Sequence, residues 1–150
     1  MVPINHMDSN SNSAADSNHM VNAMPQTKNL NRGAWLLTEE IIECARDISP
    51  VIVMGGPIWG KEPRTDFIGS HGVETPDYYW KAIIQNNKVS AWVLPNVHDH
   101  SLVGRTKLDN YRTTLSEIYD KYYIPIQLPK ELLSQESLTN WHRPENCNTG

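Results

Sequence analysis

Asn31 and Glu39 are residues whose types and spacing could do chemistry together. They lie eight positions apart with Trp35 midway, so on an α-helix the three side chains fall within a quarter turn of one another. The carboxamide and the carboxylate would be roughly 12 Å apart along the axis, too far for two direct ligands of one ion. Mg²⁺ takes few protein ligands and keeps several waters, so one residue could bind the ion while the other orients its waters. An N-cap asparagine and a solvated glutamate are the alternative.

A helix running from about Asn31 to Ile48 would position this pair. Asn is a favoured N-cap residue, Pro25 marks the entry, and the apolar residues that follow repeat near helical spacing. Arg32 is a candidate for phosphate binding, because a guanidinium fork matches phosphate oxygens. A solvated arginine is an equally good interpretation.

Eight residues around the pair stand at a spacing typical of one enzyme family: Asn22, Pro25, Gln26, Leu30, Asn31, Ala34, Trp35 and Glu39. On these residues the chain resembles the DNA/RNA non-specific endonucleases, the ββα-metal nucleases. Further matches extend the resemblance over roughly Val2 to Pro129. The resemblance implies hydrolysis of phosphodiester bonds in DNA or RNA, with Mg²⁺ or Mn²⁺ as the cofactor.

The resemblance also implies roles for individual residues. Asn31 would bind the metal ion, and Glu39 would orient the waters around it. Asn22 would lie in the active site, and Gln26 would contact nucleic acid as Arg32 does. For Asn22 and Gln26, a hydrogen bond to the backbone explains the residue equally well.

The histidine that acts as general base in this family is not found at its expected place. Residues 2–6 match the segment that follows the family's Asp-Arg-Gly-His motif, which would put that motif immediately before Met1. We therefore expect a nuclease domain that is partial at its N-terminus. One alternative is a catalytically inactive domain that binds nucleic acid and metal, consistent with Glu43 where many relatives carry Arg. Another is a domain that keeps only the fold.

The remaining pattern predicts an α+β fold with a mainly antiparallel sheet, and the resemblance implies the ββα-metal nuclease fold lacking its first strands. A second helix is expected from Thr106, with Asp109 as a weak capping partner. We expect an endonuclease-like domain over residues 1–134 and a polar tail over 135–150 that frays. The expected strands and short helical turn are Val51–Met54 (buried), Asp77–Gln85 and Val89–Leu94 (a hairpin through Asn86-Asn87), Ile124–Leu128, and Pro129–Leu133.

Composition limits the functional classes. The 150 residues are 39% hydrophobic and carry a net charge of −4, so nucleic acid would have to be held by a local patch and a bridging metal. No apolar run reaches membrane-spanning length, and we expect no membrane partner. DNA or RNA is the expected partner, and a homodimer stays open. The compartment is undetermined, although the resemblance implies a secreted or organellar protein.

The two cysteines and the histidines near residue 100 are less informative. Cys44 reads as a small core residue and Cys147 as part of the polar tail, so a bond between them is not the favoured interpretation. His98 and His100 are metal ligands by type, but they alternate on a turn without further ligands. We therefore do not expect a zinc site there.

Overall fold

The computed structural model describes residues 24–62, 64–65, 72–98, 105–138 and 147. The elements in chain order are α1 (Lys28–Leu30), a π-helical segment (Asn31–Trp35), α2 (Leu36–Arg46), β1 (Ile52–Ile58), β2 (Tyr78–Gln85), β3 (Lys88–Pro95), a 3₁₀ helix (Arg105–Tyr111), β4 (Arg112–Thr113), α3 (Leu115–Tyr122) and α4 (Lys130–Leu133).

The four described strands form one antiparallel sheet in the order β1-β2-β3-β4. Asn86 and Asn87 connect β2 to β3 with φ angles of 51° and 58°. Asparagine tolerates this left-handed conformation better than most residues, and a two-residue turn with both φ positive matches the twist of a hairpin. The predicted hairpin is therefore confirmed.

Alternation along β2 gives the sheet two buried faces. Tyr79 and Ile83 pack on the face covered by α2, with Trp35, Ile41 and Ile42 among their neighbours. Trp80 and Ile84 pack on the other face, where Leu115 and Ile118 of α3 cover them. Helices thus lie on both sides of an antiparallel sheet, which confirms the α+β fold. Of the four aromatic residues of β2 and β3, Tyr78 is exposed and three are buried: Tyr79, Trp80 and Trp92.

The strand β1 differs from the prediction in length and burial. It runs on through Gly55 and Gly56 to Ile58, and both Ile52 and Val53 are exposed. Among the described strands β1 pairs with β2 alone, so its start lies at a sheet edge. A Cβ at Gly55 would come within 2.7 Å of the Trp80 carbonyl oxygen, so this position needs glycine for close approach.

The predicted helix from Thr106 is wrong. The chain there forms the 3₁₀ helix and β4, and α3 begins only after Thr114. Thr114 Oγ1 accepts a hydrogen bond from the Glu117 amide at 3.1 Å, and Glu117 Oε2 accepts one from the Thr114 amide at 2.9 Å. This capping box satisfies two backbone donors and so fixes the start of α3 eight residues later than expected. Ile124–Leu128 forms no strand, whereas the helical turn before residue 134 is confirmed.

The tail is tied to the domain at two places. Gln135 Oε1 accepts a hydrogen bond from the Val89 amide at 2.6 Å, and the Leu138 amide donates to the Val89 carbonyl at 3.0 Å. Further along, Cys147 forms a disulfide with the buried Cys44 of α2. The described tail residues, 135–138 and Cys147, therefore do not fray as expected, and the less favoured interpretation of the two cysteines, a bond between them, is the correct one. No helix formed by the described residues is long and apolar enough to cross a membrane.

Candidate metal and nucleic-acid site

The helix that carries the candidate site begins earlier than the sequence indicated. Thr27 is the N-cap: its Oγ1 accepts from the Leu30 amide at 3.4 Å, and the Asn31 amide donates to the Thr27 carbonyl at 2.9 Å. Asn31 has helical backbone angles, so its predicted capping role is wrong. A Thr at the cap leaves the Asn31 carboxamide available for another partner.

A kinked helical segment lies between the two candidate residues. It runs from Asn31 to Trp35, and Gly33 within it has non-helical angles, with φ of −115° and ψ of −110°. The regular turn of about 100° per residue therefore does not extend from Asn31 to Glu39, and the predicted alignment along one helical face does not hold. A glycine inside a helical pattern was the signal that could have indicated this kink.

The carboxamide of Asn31 is held by Gln26. Asn31 Nδ2 donates to Gln26 Oε1 at 2.9 Å, which leaves Asn31 Oδ1 with no hydrogen-bond donor among the described residues. Gln26 Nε2 is buried and makes no hydrogen bond within the same part of the chain. Asn31 and its neighbour Arg32 are both exposed. Two adjacent residues, Asn31 and Arg32, thus place an amide group and a guanidinium group at the surface.

This donor set fits a Mg²⁺-like ion better than a zinc ion. Asn31 offers one hard oxygen ligand, and the described residues contain no group of three His, Cys, Asp or Glu that could hold a metal. A cation bound here would keep most of its waters, which is the usual behaviour of Mg²⁺. Zinc sites take three or four protein ligands, so these residues do not fit zinc. His98, where no zinc site was expected, is exposed, and His100 lies outside the described residues.

Glu39 lies against an indole and an ammonium. Trp35 Nε1 donates to Glu39 Oε1 at 2.8 Å, and Lys81 Nζ of β2 lies 3.8 Å from the same oxygen. Burial raises the pKa of Glu39 above its usual value, whereas Lys81 and the Trp35 hydrogen bond oppose that rise. The carboxylate is therefore partly buried and paired, unlike the solvated glutamate of the alternative interpretation.

Lys81 is a residue of this site that the sequence reasoning missed. Its Nζ lies 3.6 Å from the centroid of the Trp35 ring, and burial lowers the pKa of Lys81 to about 8, with Glu39 acting against that shift. A lysine in the middle of the run Tyr78–Gln85 is a signal that could have indicated it. Along that strand Lys81 alternates with Tyr79 and Ile83, so period-two alternation places it on the face covered by α2.

Glu43 and Arg46 follow Glu39 along α2. Glu43 is buried and lies 3.5 Å from Arg46 Nη1, and Arg46 also approaches Asp47 at 3.9 Å. Glu43 adds to the rise in the pKa of Glu39. Arg46 therefore pairs with carboxylates on its own part of the chain.

The segment that leads into α1 is held by Asn96, at the end of β3. Asn96 is fully buried; its Oδ1 accepts from the Thr27 amide at 2.8 Å, and its Nδ2 donates to the carbonyls of Pro25 at 3.0 Å and Pro76 at 2.8 Å. Tyr79 Oη also donates to the Pro25 carbonyl at 2.9 Å. The carboxamide of Asn96 thus joins the segment that carries Gln26 to the end of the hairpin.

Replacing Asn96 by Ala is expected to destabilise the fold. The Thr27 amide and the Pro76 carbonyl would each lose a buried partner, and such losses cost about 1–3 kcal/mol apiece. We expect the free energy of unfolding in urea to fall by about 2–6 kcal/mol on this basis. Asn110→Ala, at an exposed asparagine of the 3₁₀ helix, is the control. Equal urea midpoints for the two variants would contradict the role of Asn96.

Two further points concern the extent of the candidate site. Asn22, predicted to be catalytic, lies outside the described residues. A cleft of about 700 Å³ lies on the opposite face of the sheet, against α3, with Tyr78, Tyr111 and Tyr122 in its lining. Neither Asn31 nor Glu39 lines this cleft, so it is separate from both candidate residues.

Comparison with known proteins shows to which family the chain belongs. Residues 1–125 match the family model described as DNA/RNA non-specific endonuclease. The chain is 38% identical over 78 residues to the "Nuclease" of Serratia marcescens, and the match covers 47% of this chain. It spans 27% of the length of that relative. Because the family model covers most of the chain, the resemblance found in the sequence is confirmed, and the protein belongs to the DNA/RNA non-specific endonuclease family.

Proposed function

We propose that this domain serves the metal-dependent hydrolysis of phosphodiester bonds in DNA or RNA. Membership of the family supports this proposal, and the exposed carbonyl oxygen of Asn31 is the observation in the structure that carries it. Asn31 would hold Mg²⁺ or Mn²⁺ through that oxygen. When bound, the ion would supply positive charge that stabilises the phosphate during hydrolysis.

The other residues have supporting roles in the proposal. Gln26 fixes the amide plane of Asn31 through its hydrogen bond, so the oxygen needs no reorganisation to bind an ion. The exposed Arg32 would contact a phosphate of the nucleic acid by forked hydrogen bonds. The carboxylate of Glu39 would accept hydrogen bonds from water near the ion. The role of Asn22 in the active site stays a prediction.

Loss of metal binding tests the proposal directly. Asn31→Ala is expected to abolish binding of Mg²⁺ or Mn²⁺ to the folded chain, because the change removes the proposed protein ligand. Glu39→Gln is expected to weaken binding by about 10–100-fold, as for groups that act on a metal through its waters. The measurement is titration calorimetry, with Asn29→Ala on the same helix as the matched control. Unchanged affinity in Asn31→Ala would overturn the proposed metal site.

A binding domain without catalysis is the second candidate. The observation that favours it is Glu43, which stands where the resemblance gives many relatives an Arg: it is buried in α2 and adds negative charge near Glu39. Salt dependence separates this candidate from a purely structural domain. A domain that binds phosphates loses affinity for DNA as salt rises, whereas a structural domain shows no binding to lose.

A further inference from the structure

Lys81 is a buried cation on an otherwise apolar face of the sheet. Its side chain is 6% exposed, and its neighbours on that face of β2 are Tyr79 and Ile83. An ammonium removed from water is costly unless an anion compensates it. Glu39, with Oε1 at 3.8 Å from Nζ, supplies that charge. A lysine buried beside a carboxylate can hold that carboxylate, here Glu39, in position.

The three side chains of Lys81, Glu39 and Trp35 each contact the other two. The indole N–H and the ammonium both approach Glu39 Oε1, and the ammonium also lies over the indole ring. The 3.8 Å separation is too long for a hydrogen bond, so Lys81 acts on the carboxylate by charge. Because both contacts fall on Oε1, the carboxylate keeps a second oxygen that can accept hydrogen bonds from water.

The strand holds Lys81 in one place. Lys81 pairs with Gly55 on β1 and with Trp92 on β3, so its backbone lies inside the sheet. A Cβ at Gly55 would lie 3.4 Å from the Lys81 Cα and 2.7 Å from the neighbouring Trp80 carbonyl oxygen, which shows how closely the two strands approach. The backbone of Lys81 is therefore fixed in the sheet, and its side chain extends from the strand towards α2.

We infer that Lys81 is a positioning residue for Glu39: its ammonium holds the carboxylate ionised and in one orientation against the Trp35 indole. Lys81 does not itself bind nucleic acid, because an almost fully buried ammonium over an aromatic ring cannot reach a phosphate. The effect of this positioning on metal binding rests on the proposed function. The pairing of Lys81 with Glu39 stands on the geometry alone.

The test replaces Lys81 by Met, which has a similar length and no charge. Two quantities are measured on the whole chain: the pKa of Glu39 by carboxyl ¹³C NMR and the affinity for Mn²⁺. An opposite charge at this distance lowers a carboxyl pKa by about 1 unit or more, so Lys81→Met is expected to raise the pKa of Glu39 by that amount. Mn²⁺ affinity is expected to fall about 10–100-fold. Glu43, the other charged group that acts on Glu39 from α2, is unchanged in this variant.

Two variants serve as controls. Lys88→Met removes the charge of an exposed lysine at the start of β3 and is expected to change neither quantity. Lys81→Arg keeps the charge, so the pKa of Glu39 and the affinity for Mn²⁺ are both expected to stay close to those of the unmodified chain. An unchanged pKa of Glu39 in Lys81→Met would overturn the inference. A purely structural lysine would lower stability without moving that pKa.

The outcomes also separate the inference from the proposed function. If Asn31→Ala abolishes Mn²⁺ binding and Lys81→Met changes neither the Mn²⁺ affinity nor the pKa of Glu39, the inference fails and the metal site stands. If neither variant affects Mn²⁺ binding but the pKa of Glu39 rises in Lys81→Met, the metal site fails and the pairing stands. Should Lys81→Met not fold, the pKa of Lys81 is measured by side-chain NMR in Glu39→Gln. A fall below that of the unmodified chain is expected there, and no change would overturn the inference.

Discussion

Loss of the Cys44–Cys147 disulfide is expected to remove about 4–5 kcal/mol from the free energy of unfolding, the value that chain entropy gives for a loop of this length. The bond joins residues separated by 103 positions, so it closes a loop that includes the whole sheet. A loop of this size restricts the unfolded chain strongly. Typical domains are stable by about 5–15 kcal/mol, so this bond would account for a large part of the total.

Cys147→Ser is the appropriate variant. Cys44 is buried in α2, so replacing it would also disturb the core, whereas Cys147 is only partly buried. The measurement is unfolding in guanidinium chloride for both chains, with and without a reductant. The variant is expected to unfold at the same denaturant concentration in both buffers, and the unmodified chain is expected to match it only when reduced. Equal midpoints for the oxidised chain and the variant would show that the bond adds no stability.

The disulfide also bears on the candidate site. Cys44 lies on α2, the helix that carries Glu39, and the tail segment with Gln135 is hydrogen-bonded to β3. Reduction is therefore expected to loosen the packing of α2 on the sheet. Disulfides persist in oxidising compartments, so a strong dependence of folding on this bond would support the secreted or organellar location that the resemblance implies.

Local signals in the sequence predicted local structure well. Asn86 and Asn87 indicated a hairpin because a tight turn needs residues that tolerate positive φ, and the turn has that geometry. The start of α3 was missed although its signal is equally local. Thr114 and Glu117 stand at capping-box spacing, but apolar residues repeating at helical spacing upstream favoured an earlier start at Thr106.

The sequence predicted where the helix with the candidate residues lies, but not the residue that caps it or the kink within it. Asn31 was identified by its type and by the family spacing, and it is exposed with an available oxygen. The cap at Thr27 and the kink at Gly33 were not predicted, because a period of 3.6 residues assumes a regular helix. Asn96 was missed for another reason. Its partners Thr27, Pro25 and Pro76 lie 69, 71 and 20 positions away, so no local pattern indicates them.

Long-range pairing limits what any single sequence reveals about charges and cysteines. Lys81 is a charged residue that would ordinarily be assigned to the surface, and its burial depends on Glu39 and Trp35 from another element. The bond between Cys44 and Cys147 joins residues 103 positions apart, and two cysteines alone give no spacing pattern. In both cases the tertiary fold determines the environment of the residue.

Cleavage of nucleic acid by the 150 residues alone is expected to be very slow even with saturating Mg²⁺. The resemblance implies a histidine as the general base, and a positioned general base contributes about 10²–10⁴ in rate. Among the described residues the sole histidine, His98, is exposed and not hydrogen-bonded to Asn31 or Glu39. A chain extended upstream by a segment that includes Asp-Arg-Gly-His is expected to nick plasmid DNA faster by about the factor that a general base supplies.

The matched control for this experiment is the same extended chain with Ala in place of the added histidine. It keeps any stabilising effect of the added segment and lacks only the base, so its rate is expected to return to that of the 150-residue chain. Each chain is measured with and without EDTA, because metal-dependent cleavage must stop when the ion is removed. His6 and His19, which lie outside the described residues, provide the opposing outcome. Strong EDTA-sensitive nicking by the 150-residue chain that is lost in His6→Ala or His19→Ala would place the base within the chain, and the assignment upstream would then be wrong.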